Sequence, residues 1–311
     1  MTLIEKIEKR KKEKKAVILA HYYTKPEVQD IADCLGDSLA LAQYAQKTEA
    51  EVIIFAGVYF MAETAKILNP TKKVYLPDLE SKCSLADSCP SDDFKDFIKK
   101  YPDYKVVSYI NCTAEIKMLS DIICTSGNAK KIINSFNKNE KLIFAPDRNL
   151  GNYLNNELGR NMVLWDGACH VHDTLKIEQL VEMKALYPEA KVIAHPECKQ
   201  IILAFADYIG STTSLLNYVK NSEHQQFIVA TETGILYAMQ KAAPSKKFII
   251  LGNEKTCNCN DCEFMKLNTL EKIYTCLVEG INEIKVEEEV IKKAKLPIEV
   301  TEPSMVMEVK A

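Results

Sequence analysis

Three predicted strands of this chain are each followed, a few residues later, by cysteine. The residues after these strands are Cys83, Cys169 and a cluster of Cys257, Cys259 and Cys262. Thiolates select zinc, copper(I) or iron–sulfur clusters. Three thiolates can hold three irons of a [4Fe–4S] cube and leave the fourth iron open as a Lewis acid. The alternatives are unconnected core cysteines, which pack as small hydrophobes, or a redox or zinc-binding C-x-x-C at Cys259 and Cys262.

Titratable side chains also follow predicted strands. Glu197 comes two residues after His195, and in a continuing strand both would point to one face, as a general acid/base pair. The alternative is a structural histidine with satisfied hydrogen bonds. Further imidazoles, phenols and an amide fall at predicted strand ends, namely His21, His172, Tyr23, Tyr109 and Asn111.

Hydroxyl groups mark predicted helix starts at Ser38, Ser126, Ser211 and Thr212. Their ordinary role is N-capping. A helix N-terminus is also a site for anions, because its free N–H groups and the helix dipole favour negative charge. Only three arginines occur in the chain. An anionic substrate is therefore expected to be held by backbone N–H groups, hydroxyls and imidazoles.

The elements that position these groups recur about every 90 residues. Segments 20–23, 108–111 and 194–197 each follow an apolar run, and the same spacing relates 53–56, 142–145 and 227–230. Strands alternate with segments of helical period, which predicts parallel sheets with ligands beyond the strands' carboxyl ends. The predicted fold is α/β, with three homologous three-layer units arranged about a pseudo-threefold axis.

The repeat also predicts the domain boundaries. The first unit is expected at 1–85, joined by the C-terminal segment 275–311. The second unit is expected at 86–170 and the third at 171–274.

Composition limits the functional classes. The 311 residues are 47% hydrophobic and 27% charged, with a net charge of −3, so a nucleic-acid partner is not expected. The basic run at 9–15 is interpreted as a solvated helix face. The N-terminus has no signal-like apolar region and no stretch is long enough to span a bilayer, which predicts a cytoplasmic protein without a membrane partner. Eleven cysteines in that compartment are not expected to form a disulfide framework.

The ordered motifs resemble the quinolinate synthase family, the iron–sulfur enzymes of NAD biosynthesis, almost end to end. The resemblance rests on Ala20-His-Tyr-Tyr23, Pro77-Asp-Leu79, the run from Cys83 to Pro90, Ser108-Tyr-Ile-Asn111, Thr113-Ala-Glu115, Cys124-Thr-Ser126, Cys169-His-Val-His172, His195-Pro-Glu-Cys198, Gly210-Ser-Thr212, Ala230-Thr-Glu232 and the run from Cys262 to Leu270. It implies condensation of iminoaspartate with dihydroxyacetone phosphate to quinolinate, with loss of phosphate and two waters. A [4Fe–4S] cluster with one open iron would be the Lewis acid.

The resemblance also implies roles for individual residues. The cluster ligands would be Cys83, Cys169 and Cys262. Glu197 and Tyr23 would be catalytic, with His195 beside Glu197. The substrate pocket would be lined by His21, Ser38, Tyr109, Asn111, Ser126, His172, Ser211 and Thr212.

Two questions stay open at this level. Repeat spacing favours Cys257 as the third ligand, whereas the motif match favours Cys262; the match is preferred because loops vary in length more than helix-start motifs. The functional alternatives are a non-enzymatic iron–sulfur redox sensor and a zinc hydrolase using His195 and Glu197.

An upstream aspartate-oxidising enzyme is a candidate partner.

Overall fold

The computed structural model of the chain, described here for residues 1–252 and 260–299, contains three separate four-stranded sheets in which every strand pairing is parallel. The first sheet comprises β1 Ala16–His21, β2 Cys34–Gly36, β3 Val52–Ala56 and β4 Lys73–Tyr75. The second comprises β5 Lys105–Tyr109, β6 Ile122–Cys124, β7 Leu142–Ala145 and β8 Val163–Leu164. The third comprises β9 Lys191–Ala194, β10 Tyr208–Ile209, β11 Gln226–Ala230 and β12 Lys247–Ile250.

Helices connect these strands and flank the sheets. They are α1 Leu3–Glu13, α2 Pro26–Asp30, α3 Ser38–Lys47, α4 Tyr59–Leu68, α5 Ser84–Asp87, α6 Ser91–Ile98, α7 Ala114–Leu119, α8 Ala129–Ser135, α9 Arg148–Leu158, α10 His170–Asp173, α11 Ile177–Leu186, α12 Gln200–Leu203, α13 Thr212–Asn221, α14 Ile235–Ala242, α15 Glu263–Lys266, α16 Leu270–Glu279 and α17 Glu288–Glu299.

Each sheet has the same strand order: the second strand lies at one edge, followed by the first, third and fourth. The central strands are continuous apolar runs because helices cover both faces. In β3, β7 and β11 the interior residues are fully or almost fully buried. The predicted α/β fold of three homologous units is thereby confirmed.

The C-terminal helices pack back onto the earlier units. Ile273 and Leu277 of α16 join Ile7 of α1 in a core cluster with β1. Helix α17 contacts α7 of the second unit and α4 of the first. The domain boundaries themselves stay a prediction.

The basic N-terminal run forms ion pairs on the surface of α1. Lys11 Nζ lies 2.8 Å from a Glu8 carboxylate oxygen and 2.9 Å from one of Asp33, and Arg10 pairs with Glu13 at 2.7 Å. Among the helices described for residues 1–252 and 260–299, none combines the length and apolar character needed to cross a membrane.

Candidate active site

One cavity of about 660 Å³ gathers side chains from all three units. Of the 14 residues that the sequence nominated, 13 line it, the exception being Ser211. The lining comprises His21, Tyr23, Asp37, Ser38, Leu39, Val58, Phe60, Met61, Cys83, Tyr109, Asn111, Thr125, Ser126, Cys169, Val171, His172, His195, Glu197, Thr212, Glu232, Cys262 and Met265. Polar groups fall beyond the carboxyl ends of the strands, as in other parallel α/β sheets.

The three cysteines of the cavity share one local structure. Cys83, Cys169 and Cys262 are the N-cap residues of α5, α10 and α15, each a four-residue helix. Backbone N–H groups of each short helix lie near the cysteine sulfur and lower its pKa, for example those of Leu85 and Ala86 at Cys83, although none of the three cysteines makes a side-chain cap hydrogen bond. Such N–H donors stabilise a thiolate and are a common feature of metal–sulfur sites.

Burial opposes ionisation of these thiols. It raises the pKa of Cys83 to about 12 and that of Cys262 to about 11, and it also raises the pKa of Cys169. Each thiol therefore keeps its proton at neutral pH until a metal displaces it, since a bound metal requires the thiolate.

The structure bears on whether Cys257 or Cys262 is the third cysteine ligand. Cys262 lines the cavity and caps its helix in the same way as Cys83 and Cys169. Cys257 and Cys259 lie outside the described residues. The local equivalence of the three N-caps supports Cys262.

Glu197 is one of the buried carboxylates of the cavity, with 2% of its surface exposed. One of its oxygens lies 2.8 Å from His172 Nδ1, a close contact without hydrogen-bond geometry, and Asn111 Nδ2 donates to the other at 3.4 Å. Burial raises the pKa of Glu197, but His172 and His195, with a hydrogen bond from Tyr109, outweigh it and lower the pKa to about 2. This carboxyl is accordingly ionised at neutral pH.

The expectation that His195 and Glu197 lie on a strand was wrong, while their role as an acid/base pair stays a prediction. Strand β9 ends at Ala194, so His195 and Glu197 lie in the turn beyond it, where the Glu197 N–H donates to His195 Nδ1 at 3.4 Å. The imidazole that contacts the carboxylate is that of His172. His172 itself lies within α10 rather than directly after a strand.

Tyr23 is connected to Glu197 through two intervening side chains. The Tyr23 hydroxyl lies 2.8 Å from Thr231 Oγ1, and Thr231 Oγ1 lies 2.9 Å from His172 Nε2. With the 2.8 Å contact between His172 and Glu197, these contacts join a phenol and a carboxylate of the cavity lining. Burial raises the pKa of Tyr23 well above its usual range, so its hydroxyl keeps its proton.

Two further imidazoles complete the wall. Burial lowers the pKa of His21 to about 4 and that of His195 to about 4, so both are neutral at physiological pH. His21 is the last residue of β1, and its Nδ1 accepts the Tyr23 N–H at 3.2 Å. The ring orientation of His21 is thus set by the turn that presents Tyr23.

The hydroxyl residues differ from their predicted capping roles. Asp37, not Ser38, caps α3, accepting the Ala40 N–H at 3.1 Å, and Asn128 rather than Ser126 occupies the N-cap position of α8. Ser38 and Ser126 are instead free to face the cavity. Ser211 does cap α13, accepting the Ser214 N–H, which leaves Thr212 to line the cavity.

Within the described part of the chain, no lysine or arginine lines this cavity. The groups available to an anionic ligand are hydroxyls, imidazoles and backbone N–H groups. Asn111 Oδ1 is buried and has no hydrogen-bond partner among the described residues, so it is free to accept from a ligand.

Several residues of the site were not singled out individually from the sequence. Thr125, Thr231 and Glu232 were noted only as parts of motifs, and Asp37 was not singled out. Thr231 and Glu232 directly follow β11, in the same position after a strand as Pro146 and Asp147 after β7. The repeat could therefore have flagged them, but their contacts could not be derived from it.

The family model and the relatives that match this chain all point to one family. The model of the family described as "Quinolinate synthetase A protein" matches residues 5–301. The chain is 57% identical over 297 residues to the quinolinate synthase of Synechocystis sp., covering 96% of this chain and 93% of that protein. It is 55% identical over 300 residues to the quinolinate synthase of Chloroherpeton thalassium, with 96% and 93% covered. The chain therefore belongs to the quinolinate synthetase A family of enzymes.

Proposed function

We propose that this enzyme is a quinolinate synthase of NAD biosynthesis that condenses iminoaspartate with dihydroxyacetone phosphate, releasing phosphate and two waters. The observation that carries the proposal is the convergence of Cys83, Cys169 and Cys262 on the cavity that also holds Glu197 and Tyr23. The relatives that cover nearly the whole chain carry the same name, which supports it.

The donor set fits a [4Fe–4S] cluster bound by three protein ligands. Cys83 is close enough to both Cys169 and Cys262 to interact with them electrostatically, and backbone N–H groups of each short helix favour the thiolate form of its cysteine. Cys83, Cys169 and Cys262 would hold the cluster, whose open iron would supply a Lewis acid for a substrate oxygen or nitrogen.

The protein groups would handle the protons of the condensation and dehydrations. Glu197, which is ionised and lines the cavity, would accept a proton from a bound substrate. Tyr23, with its proton retained, is suited to donate one to a leaving hydroxyl. Thr231 and His172 keep these two groups in fixed relation, with neighbouring contacts of 2.8 to 2.9 Å.

The substrates carry a phosphate and two carboxylates. Ser38, Ser126 and Thr212 present hydroxyls at the cavity wall, and each belongs to a turn or helix start with free N–H groups. Neutral His21 and His195 add N–H donors without a fixed positive charge. With no lysine or arginine in the described lining, an anionic substrate would be held by these neutral donors.

The test is an anaerobic assay of iron and sulfide followed by detection of quinolinate formed from the two substrates. We expect roughly four irons per chain and product formation in the wild type. Cys262→Ser should remove the cluster, and Cys257→Ser should keep it. The reverse result would show the third ligand to be Cys257, and a wild-type protein that makes no quinolinate would refute the proposed activity.

The same assay separates the alternatives. A redox sensor would bind iron and make no quinolinate. The ligand atoms of Cys169, His172 and Glu197 all lie within 4.8 Å of one another, which could also suit a single zinc ion. Zinc without iron in the purified protein would favour the other alternative, a zinc hydrolase.

The cellular setting is proposed on chemical grounds. All nine cysteines of the described residues are free, which agrees with a reducing cytoplasm. An aspartate-oxidising enzyme that supplies iminoaspartate remains the predicted partner.

A further inference from the structure

Two buried carboxylates occupy the same position in the second and third units. Asp147 lies two residues after Ala145, the end of β7, and Glu232 lies two residues after Ala230, the end of β11. Both side chains belong to residues with 0% exposed surface. A carboxylate buried to this extent is costly unless its oxygens are hydrogen-bonded, so its partners indicate what it is for.

In both units a partner is the backbone of a cavity cysteine. Asp147 Oδ2 accepts the Cys169 N–H at 3.3 Å. Glu232 Oε1 accepts the Cys262 N–H at 3.0 Å. The repeat therefore places one carboxylate against one cysteine amide twice, through side chains of different length.

The other oxygens tie each carboxylate to a neighbouring element. Asp147 Oδ1 accepts the Leu150 N–H at 2.7 Å and so caps α9. Glu232 Oε1 also accepts Lys266 Nζ at 2.8 Å, and Oε2 accepts the Gly234 N–H at 2.6 Å. Each cysteine backbone is thus fixed both to a strand end and to a helix.

The first unit is built differently. Val58 occupies the corresponding position, two residues after Ala56, and its side chain cannot accept a hydrogen bond. There the segment of Cys83 is joined to that of Cys169, because Ser84 Oγ lies 2.6 Å from His170 Nδ1. Carboxylates hold the backbones of Cys169 and Cys262, whereas the segment of Cys83 is held by the contact between Ser84 and His170.

We infer that Asp147 and Glu232 are positioning residues that hold Cys169 and Cys262 in the orientation needed to bind the cluster. The inference rests on the proposed function, since it presupposes that these cysteines are cluster ligands. Groups that orient metal ligands through hydrogen bonds typically contribute roughly 10–100-fold to metal affinity. Burial raises the pKa of both carboxyls, yet a carboxyl oxygen accepts an N–H in either protonation state.

The variants can separate the ligand contact from general stability. Asp147→Asn keeps an oxygen for the Leu150 N–H, and asparagine is a good N-cap, but its amide nitrogen then faces the Cys169 N–H. Glu232→Gln keeps an oxygen for the Cys262 N–H, whereas Glu232→Met keeps none. A control away from the cavity is Asp207→Asn, because the exposed Asp207 also accepts a backbone N–H through Oδ2, that of Val192 at 2.8 Å, at the opposite end of the third sheet.

The experiment follows loss of the visible absorbance of the cluster under anaerobic titration with an iron chelator. Urea unfolding of each cluster-free protein is measured in parallel. We expect Asp147→Asn and Glu232→Met to lose the cluster at roughly 10–100-fold lower chelator concentration than the wild type. Glu232→Gln should fall between the wild type and Glu232→Met, and Asp207→Asn should lower stability without changing chelator resistance.

The possible failures are distinguishable. A wild-type protein that binds no iron–sulfur cluster would overturn the proposed function, and this inference with it. A wild-type protein that holds its cluster, with Asp147→Asn and Glu232→Met equally resistant to the chelator, would overturn the inference alone. The positioning role would likewise be refuted if every variant lost the cluster only in proportion to its loss of urea stability.

Discussion

At the scale of single residues, the site depends on side chains that connect others. Thr231 is fully buried, and its hydroxyl is within hydrogen-bonding distance of both Tyr23 and His172. A hydroxyl can donate to one partner while accepting from the other. Thr231 can therefore keep the phenol of Tyr23 and the imidazole of His172 in fixed positions relative to each other.

Replacing Thr231 by valine tests this connection. Valine has nearly the same shape but no hydroxyl, so Tyr23 and His172 lose their shared partner while the cavity keeps its form. We expect kcat for quinolinate formation to fall by about 10-fold or more, since one well-placed hydrogen bond contributes on the order of 1.5 kcal/mol. Steady-state kinetics and iron content are the measurements.

Thr64→Val is the matched control. Thr64 is also buried, but its hydroxyl donates to the Phe60 carbonyl within α4 at 2.7 Å. Equal losses of kcat in the two variants would mean that Thr231 contributes only to stability.

Glu197→Gln is the second prediction at this scale. Glutamine keeps the size of the side chain but cannot take up a proton, so turnover should fall about 10²–10⁴-fold while the cluster content stays unchanged. Product assay and iron analysis on the same sample would decide it. Near-normal turnover would exclude Glu197 as the base.

At the scale of elements, the loop between β8 and α10 presents Cys169 and leaves no room for a larger residue. The Gly167 carbonyl accepts the Arg148 N–H at 2.8 Å, which fixes the loop against the start of α9. A β-carbon on Gly167 would lie 2.6 Å from the Pro146 carbonyl oxygen and would also collide with Ser88. Because the Pro146 backbone blocks one side of Gly167, the loop that carries Gly167 would have to move.

Gly167→Ala should therefore displace the segment that carries Cys169. We expect the variant to fold but to bind substantially less iron after anaerobic reconstitution, because a ligand out of place weakens a metal site roughly 10–100-fold. Iron and sulfide content per chain is the measurement.

Gly159→Ala provides the contrast. Gly159 ends α9 with φ of 59°, and nothing lies within 4 Å of where its β-carbon would be. Its replacement should cost about 1 kcal/mol of folding free energy through backbone strain while leaving iron binding intact. Loss of iron in this variant as well would point to general destabilisation.

At the scale of the whole molecule, the first and second units meet at a buried glutamate. Glu63 of α4 has 8% of its surface exposed, and one oxygen accepts the Ala114 N–H of α7 at 3.3 Å. Burial raises the pKa of Glu63 from 4.5 to about 7, with Glu115 adding to the rise and Lys117 and the Ala114 N–H opposing it. Tyr59 lies one turn earlier on α4.

This raised pKa predicts a pH dependence of stability. The folded chain binds the Glu63 proton more tightly than the unfolded chain, so the stabilisation is complete below about pH 4.5 and is lost as the pH rises through about 7. Glu63→Gln keeps an acceptor for the Ala114 N–H and cannot ionise. Its free energy of unfolding, relative to the wild type, should rise between pH 5 and pH 8 by at most about 3 kcal/mol.

Urea unfolding of both proteins at the two pH values measures this difference. Glu178→Gln, at an exposed position on α11, is the control, and its free energy of unfolding should follow that of the wild type at both pH values. A difference between Glu63→Gln and the wild type that is constant across this range would contradict the assignment.

The sequence by itself determined the repeated α/β architecture and most of the side chains that line the cavity. Strand identity follows from local apolar runs, and the carboxyl ends of parallel strands meet at one side of a sheet, so His21, Tyr109 and Cys83 could be placed there without coordinates. These inferences depend only on period and polarity along the chain.

The tertiary structure alone decided which of these side chains touch. The Glu197 carboxylate lies 2.8 Å from His172, whereas His195 accepts the Glu197 backbone N–H, and Thr231 stands between Tyr23 and His172. These partners come from different units, and their separations depend on how three sheets and their turns pack together. A period of two predicts the face of a side chain only while the strand lasts, and β9 ends before His195.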